Sequence, residues 1–166
     1  MVNELKLIVL KPGEGQKVNL ADMVQTMKAT GEDTLGGFGM WESEIKGGPG
    51  PHIHRNEEEA FYALEGEVEF RLGDVSEIMT TGGFALIPRG TVHAFKTLGE
   101  KPARLLVLAS PAGFEHFFEE VAAMRAAGSD PYLHQARTLT TSYPGPERRQ
   151  VTYYPNRYMA LTTSRC

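Results

Sequence analysis

Short apolar runs, broken by glycine and proline, fill the middle of this 166-residue chain. They recur about every 8 to 12 residues, which is typical of antiparallel strands joined by tight turns. Strands are predicted at residues 5–10, 35–45, 60–64, 67–72, 84–87, 92–97 and 104–109, with a short strand between turns at 73–74 and 82–83. The apolar run at 84–87 is expected to be a buried strand. The pattern predicts an all-β barrel or sandwich.

Two segments depart from this pattern. Residues 17–29 fit either an amphipathic helix or a strand followed by a bend. After Pro111 the large apolar residues recur at helical spacing, which predicts a helix over about 114–127, ended by Gly128. That stripe consists of Phe114, Phe117, Phe118, Val121 and Met124. Residues 129–166 are rich in proline, tyrosine and arginine, and we expect an irregular C-terminal extension whose tyrosines pack across the barrel or a partner subunit.

Composition and charge narrow the class of protein. The length suits one domain over residues 1–166. A net charge of −4 argues against nucleic-acid binding, and no apolar run reaches the roughly 18 residues of a membrane-spanning helix. Residues 1–10 lack signal-peptide features, and the sole cysteine is Cys166. We therefore expect a cytoplasmic protein without membrane partners or an intrachain disulfide.

Two histidines separated by one residue are the chemical landmark of the chain. His52 and His54 follow a glycine- and proline-rich lead, and on an extended strand they point to the same side. Glu59 follows shortly afterwards and His93 lies further along. Imidazole nitrogen and carboxylate oxygen together suit a divalent transition metal. For the two histidines alone, an exposed polar pair on a strand is an equally good interpretation.

The spacing of these residues resembles the two motifs of the cupin superfamily. The first motif is glycine, five residues, H-x-H, four residues, glutamate, six residues and glycine. It is matched by His52, His54, Glu59 and Gly66, with Lys46 at the leading glycine position. The second is glycine, five residues, P-x-G, two residues, histidine, three residues and asparagine. It is matched by Gly82, Pro88, Gly90 and His93, with Thr97 in place of the asparagine.

This resemblance, closest in kind to small single-domain cupins similar to quercetin 2,3-dioxygenase, implies a fold and a metal. The fold would be a double-stranded β-helix, or jelly-roll, barrel with a core at about 35–110, a short C-terminal helix and an irregular tail. One divalent ion of iron, manganese, nickel, copper, cobalt or zinc would be held by His52, His54, Glu59 and His93. By the same resemblance Glu59 would also act as a base toward the substrate. Its neighbours Glu57 and Glu58 are alternative ligands, although Glu58 lies on the opposite face of an extended strand.

The resemblance also suggests a function. We expect a metal-dependent dioxygenase of quercetinase-like type that acts on a small aromatic or enolisable substrate with O2, as a homodimer. Two alternatives stay open at this point: an isomerase, cyclase or lyase that uses the ion as a Lewis acid without O2, and a non-catalytic small-molecule-binding protein.

Several aromatic and apolar residues are candidates for the wall of a substrate pocket. They are Trp41, Met40, Phe61 and Phe95, with Phe38 and Phe84 as further aromatics of the same region. Phe61 and Phe95 have the best claim, because each lies two residues from a predicted ligand and so shares its face of a strand. At least half of the set is expected to be ordinary barrel core.

Overall fold

A computed structural model describes residues 7–20, 23–128, 138–141 and 149–153. These residues form strands β1 (Lys17–Leu20), β2 (Met23–Ala29), β3 (Gly39–Ile45), β4 (His52–His54), β5 (Glu58–Glu65), β6 (Glu67–Leu72), β7 (Val75–Thr80), β8 (Phe84–Ile87), β9 (His93–Thr97) and β10 (Ala103–Ser110), helix α1 (Glu115–Ala126), and strands β11 (Thr138–Thr141) and β12 (Arg149–Tyr153). Most strand boundaries lie within a few residues of the predicted ones.

The strands form two antiparallel sheets of six strands each. The first sheet, in the order β1-β2-β3-β10-β5-β8, is called sheet A here, and the second, in the order β11-β12-β4-β9-β6-β7, is called sheet B. Strands β3 to β10 are divided between the two sheets, so that β3, β5, β8 and β10 lie in sheet A and β4, β6, β7 and β9 lie in sheet B. An all-β fold was predicted, and the structure confirms it.

The core lies between the two sheets. Along β10, Leu105, Val107 and Ala109 are buried, and the residues between them are more exposed. Such an alternation arises because successive side chains of a strand point to opposite faces. Trp41 on β3 and Phe61 on β5 flank Val107 on either side, and both are about 1% exposed. The central strands of sheet A therefore direct their bulkiest side chains inward.

Helix α1 packs against the barrel through its first two turns. Phe117, Phe118 and Val121 are buried, and the helix ends at Ala126 before Gly128, which has a φ of +77°. The ring of Phe118 lies 5.1 Å from that of Trp41 in an edge-on arrangement. The apolar stripe predicted for the helix is thus the face it buries. Within the described part of the chain, no helix is both long and apolar enough to cross a membrane.

A buried carboxylate ties the start of α1 to the loop before β3. Glu115 is 4% exposed, and its two oxygens accept hydrogen bonds from the backbone N–H groups of Gly31 at 2.6 Å and Gly113 at 2.7 Å. A Cβ on Gly39 would lie 2.6 Å from the same carboxylate. The helix is therefore fixed to the barrel by polar contacts as well as by its aromatic face.

The predicted strand at residues 5–10 is not formed in the part that the structure describes. Residues 7–10 have no regular structure, and Leu7 and Val9 are 87% and 77% exposed. Residues 5 and 6 lie outside the described residues. The apolar run finds no neighbouring strand to pair with here, so its β propensity alone does not produce a strand. Residues 17–29, in contrast, adopt the strand-and-bend alternative, since β1 and β2 pair antiparallel.

Strand β8 was predicted to be buried, and this prediction is wrong. Phe84 and Leu86 are 65% and 54% exposed, and only Ile87 is buried. The strand lies at the edge of sheet A, where the described residues leave the face of Phe84 and Leu86 exposed. An apolar run of four residues does not indicate by itself how many of its faces are covered.

The C-terminal extension is more regular than predicted. Residues 138–141 and 149–153 form β11 and β12, and β12 pairs antiparallel with β4 so that Thr152 lies opposite Ile53. The extension thereby protects one edge of the strand that carries His52 and His54. The prediction that its tyrosine side chains pack across the barrel or a partner lies outside the described residues.

Candidate metal centre

Four side chains from three strands converge between the sheets. His52 and His54 point to the same side of β4, and His93 on β9 lies directly opposite His52 in the strand register. Glu59 reaches the same point from β5 in the facing sheet. The N–H of Gly90 donates to the carbonyl of His54 at 2.6 Å, which fixes the turn before β9 against β4.

Glycine and threonine at the strand ends allow this convergence. A Cβ on Gly48 would lie 2.1 Å from the carbonyl oxygen of Phe95, so only glycine permits the lead into β4 to pass this close to β9. Next to it, the N–H of Gly47 donates to Thr97 Oγ1 at 2.8 Å, and the N–H of Thr97 donates back to the carbonyl of Gly47 at 2.7 Å. Thr97, which departs from the asparagine of the second motif, thus provides a side-chain acceptor for this loop.

The distances between the four side chains match those around one metal ion. Glu59 Oε2 lies 3.4 Å from His54 Nε2 and 3.5 Å from His93 Nε2. One nitrogen or oxygen atom from each of the four residues lies within 4.8 Å of the others. For bonds of about 2.1 Å, tetrahedral geometry separates two ligand atoms by roughly 3.4 Å. The side chains are therefore arranged at ligand-to-ligand spacing.

Backbone carbonyls fix the orientation of two imidazole rings. His52 Nδ1 lies 2.9 Å from the carbonyl oxygen of Gly50, and His93 Nδ1 lies 3.0 Å from that of Thr91. A carbonyl only accepts, so each Nδ1 carries a proton, and in the neutral tautomer that this contact selects the lone pair lies on Nε2. Imidazole ligands of metals commonly show this arrangement, in which the outer nitrogen donates to the protein.

Burial keeps the histidines of β4 neutral. His52 and His54 are 2% and 3% exposed. Loss of hydration, together with the proximity of His93, lowers the pKa of His52 to about 3. Loss of hydration, together with the proximity of His52 and His93, places the pKa of His54 well below its ordinary value. At neutral pH both rings therefore offer lone pairs to a cation.

Three buried polar atoms at this point lack hydrogen-bond partners among the described residues. His54 Nε2, Glu59 Oε2 and His93 Nε2 are sealed from solvent, and none has a hydrogen-bond partner among the described residues. Buried polar atoms are normally paired, and an exception requires an explanation. A bound cation would satisfy all three atoms at once, so the donor set and its geometry fit a divalent transition metal.

The neighbouring glutamates are arranged differently from Glu59. Glu58 faces outward and forms a two-pronged ion pair with Arg89, whose hydrogen bonds lower the pKa of that carboxyl despite its desolvation. Glu57 is buried, but its carboxylate is not part of the converging group. Among the three glutamates, the one at the motif position is the one that the fold brings to the histidines.

A narrow cavity leads to the convergent side chains. His52 and Glu59 lie on its wall together with three of the predicted pocket residues, Trp41, Phe61 and Phe95. The cavity measures about 410 Å³ with its open mouth included. Pockets for drug-sized ligands typically hold about 300–1,000 Å³, so this cavity lies toward the lower end of that range.

One predicted pocket residue is not part of this wall. Met40 alternates with Gly39 and Trp41, which are both buried, and it points to the outer face of sheet A. Because successive side chains of a strand point to opposite faces, the face of Met40 follows once that of Trp41 is known. The glycine-rich sequence before β3 does not indicate which face Trp41 occupies.

Sequence reasoning missed several residues that line the cavity. Gln25 and Ser43 contribute buried polar groups, and Phe114, Phe117 and Phe118 cover the cavity from the side of α1. The ring of Phe114 lies 4.5 Å from that of His54 in an edge-on arrangement. Gln25 lies in the segment whose secondary structure the sequence left open. The three phenylalanines were predicted as a buried helical stripe, without any indication of what the stripe covers.

A family model matches the part of the chain that carries this constellation. Residues 39–109 match the cupin domain family, and the matched range contains all four convergent residues. This segment is therefore a cupin domain, as the two motifs indicated.

A curated protein is also similar to this chain in sequence. The chain is 25% identical over 130 residues to quercetin 2,3-dioxygenase of Bacillus subtilis (strain 168), over 76% of this chain and 36% of that protein. It thus spans about a third of the length of this curated relative.

Solved structures resemble the chain in fold alone. Ectoine synthase from P. lautus has a TM-score of 0.56 at 22% identity, over 69% of this chain and 86% of that one. The cupin domain of Schizosaccharomyces pombe Cnp3 has a TM-score of 0.55 at 14% identity, over 78% and 86%. At these identities the likeness establishes the barrel and leaves the chemistry to the residues of the site.

Proposed function

We propose that His52, His54, Glu59 and His93 bind one divalent transition-metal ion and that the protein is a metal-dependent dioxygenase of quercetinase-like type. The observation that carries the proposal is the convergence of buried, unpartnered ligand atoms between the two sheets. Similarity to the Bacillus subtilis dioxygenase supports the choice of reaction.

The charge of the ligand set favours an anionic, chelating substrate. Neutral histidines and one carboxylate leave a divalent ion with a residual charge of about +1. The ion, when bound, supplies a Lewis-acid and redox-active centre at which an enolised substrate and O2 can react. Trp41, Phe61 and Phe95 make the cavity wall next to this point apolar.

Glu59 is the residue we assign to proton transfer. Its Oε2 atom is the carboxylate oxygen nearest to His54 and His93, and it lies at the inner end of the cavity. A carboxylate in this position can accept the proton that an enolisable substrate releases on binding. Glu59 then serves both as a metal ligand and as a base, so that deprotonation of the substrate takes place next to the metal that binds it.

The size of the cavity favours a small enolisable compound over a flavonol. A three-ring molecule needs a pocket well inside the drug-sized range of about 300–1,000 Å³, whereas the cavity beside His52 and Glu59 measures about 410 Å³ with its open mouth included. Short 1,3-diketones have the required shape and acidity.

The experiment is an O2-uptake assay with protein reconstituted separately with iron, manganese, cobalt, nickel and copper. We expect uptake with acetylacetone, one O2 consumed per diketone with both labelled oxygen atoms from ¹⁸O2 in the products, and loss of uptake in Glu59→Gln. Glu58→Gln, which changes the outward-facing neighbour, is the control. Equal consumption of the diketone under nitrogen would contradict the dioxygenase and favour an O2-independent isomerase or lyase. Use of O2, the cytoplasmic location and the homodimer stay predictions.

A further inference from the structure

Two buried polar side chains form a pair at the far end of the cavity. Gln25 on β2 and Ser43 on β3 lie directly opposite each other in the strand register. They are 3% and 2% exposed, and both line the same cavity as His52 and Glu59. Neither residue belongs to the metal-binding constellation described above.

The amide of Gln25 lacks the hydrogen bonds that a buried amide requires. Its Oε1 atom is sealed from solvent, and no described residue donates to it. An unpaired polar group destabilises the folded state, and such groups are rare unless a ligand or water pairs with them. The side chain therefore offers a hydrogen-bond acceptor to a partner outside the described residues.

The pair lies at a fixed distance from the metal-binding end. Along β10, Ala109 pairs with Glu59, and Leu105 pairs with Ser43, four residues away. At 3.3 Å per residue this separates the two rows by about 13 Å. A metal–ligand bond of about 2 Å at one end and a hydrogen bond of about 3 Å at the other leave a gap of about 8 Å, which a short carbon chain can span. Trp41 and Phe61 line this gap and make it apolar.

We propose that Gln25 and Ser43 form a polar subsite that binds the distal end of the substrate. This proposal rests on the proposed function, because the other end of the substrate is placed at the metal. The cavity wall near the pair contains no charged side chain among the described residues. The bound group is accordingly neutral, and the ligand class is a short aliphatic molecule with a chelating head and a terminal hydroxyl.

Hydroxamates provide a probe of this subsite, since their head chelates a metal through two oxygen atoms. Propiono-, butyro- and valerohydroxamate are compared with the same compounds carrying a terminal hydroxyl, and binding is followed by the visible spectrum of the cobalt-loaded protein. We expect the best hydroxylated probe to bind about tenfold tighter than its unsubstituted counterpart. In Gln25→Met this preference disappears. In Ser43→Ala the preference falls about threefold.

A matched control and a second readout separate a subsite from a structural residue. Gln16 is exposed, and Gln16→Met is expected to keep the full preference. In urea unfolding without metal or probe, Gln25→Met is expected to unfold at the same or a higher urea concentration, because it removes an unpaired buried amide. Unfolding at a lower concentration would assign Gln25 a structural role and overturn the proposal.

The remaining outcomes distinguish the subsite from the metal site. Binding of the unsubstituted hydroxamates without a preference for the hydroxyl, or a preference retained in Gln25→Met, would overturn the subsite alone. A cobalt spectrum that no hydroxamate changes would contradict an accessible metal site and, with it, the subsite that depends on it.

Discussion

The neutral histidines of β4 are the residue-scale basis of the site. Burial lowers the pKa of His52 to about 3, and the carbonyl of Gly50 orients the same ring. A protonated imidazole cannot bind a cation, so burial keeps this ligand available in mildly acidic solution. The same burial makes the metal-free protein sensitive to acid.

In the metal-free protein, acid should destabilise the fold through His52. The unfolded chain takes up the proton near pH 6.5 and the folded chain only near pH 3, so the contribution is present above pH 6.5 and is lost as pH falls toward 3. The slope is about 1.4 kcal/mol per pH unit for this one group. Urea unfolding of chelator-treated protein from pH 7 to pH 4 should show a slope that His52→Gln reduces. The surface variant His116→Gln is the control, and an unchanged slope in His52→Gln would contradict the assignment.

The sequence predicted the four convergent residues but not the other polar groups of the cavity. His52, His54, Glu59 and His93 follow a spacing that specifies them without knowledge of the barrel. Gln25 and Ser43 follow no such motif, because they meet only through the pairing of β2 with β3. Whether a glutamine is buried depends on which strands cover it, and this is a property of the folded chain.

At the scale of secondary-structure elements, the attachment of α1 depends on Glu115. Glu115→Gln replaces one accepting oxygen by an amide group that donates, and this group then faces a backbone N–H of Gly31 or Gly113. We expect a loss of about 2–3 kcal/mol in the free energy of unfolding, measured by urea denaturation. Glu119→Gln, on the exposed side of the same helix, should change it by less than about 0.5 kcal/mol. Equal effects of the two variants would show that the buried carboxylate does not fix the helix.

The edge strand β8 and the central strand β10 of sheet A should differ in how well they tolerate shortening of a leucine side chain. Leu105 on β10 is fully buried, and Leu105→Ala should lower the free energy of unfolding by about 2–5 kcal/mol. Leu86 on the edge strand β8 is 54% exposed, and Leu86→Ala should cost less than about 1 kcal/mol in the isolated chain. Thermal and urea unfolding measure both effects. A loss at Leu86 as large as that at Leu105 would mean that β8 is covered after all.

Element prediction succeeded where local sequence and packing agree. Strands β5, β6, β9 and β10 were predicted to within about two residues, because their alternation or apolar runs are bounded by turns. Residues 84–87 form the predicted strand β8, and only the prediction of its burial was wrong, because β8 lies at an edge of sheet A. The similar run at residues 7–10 pairs with no described strand. Strands β11 and β12 were missed because their sequence has little periodicity and their place beside β4 comes from tertiary pairing.

At the scale of the whole molecule, the outer face of sheet A should be the contact of the predicted homodimer. Tyr62 and Phe84 lie opposite each other across β5 and β8, next to Leu86, and all three are at least 45% exposed. An apolar face next to an edge strand is typical of a surface that another chain covers. Light scattering after size exclusion should give twice the chain mass, and Phe84→Arg should shift it toward the monomer. A monomer at all concentrations in the unchanged protein would contradict the prediction.

The two-sheet architecture is what assembles the site. Sheet B contributes three histidines and sheet A one glutamate, so the ligand set exists only when the two sheets face each other. A bound ion would therefore connect the sheets and stabilise the folded chain over the unfolded one.

Metal content is the most direct test of this account. The protein is purified without a metal-binding tag, and its metals are quantified by mass spectrometry together with those of His52→Ala, His93→Ala and His116→Ala. We predict about one transition-metal ion per chain in the unchanged protein and in His116→Ala, and little or none in the other two. Absence of bound metal even after reconstitution, or retention of a full equivalent in both His52→Ala and His93→Ala, would contradict the central claim that the buried histidines and Glu59 form a metal site.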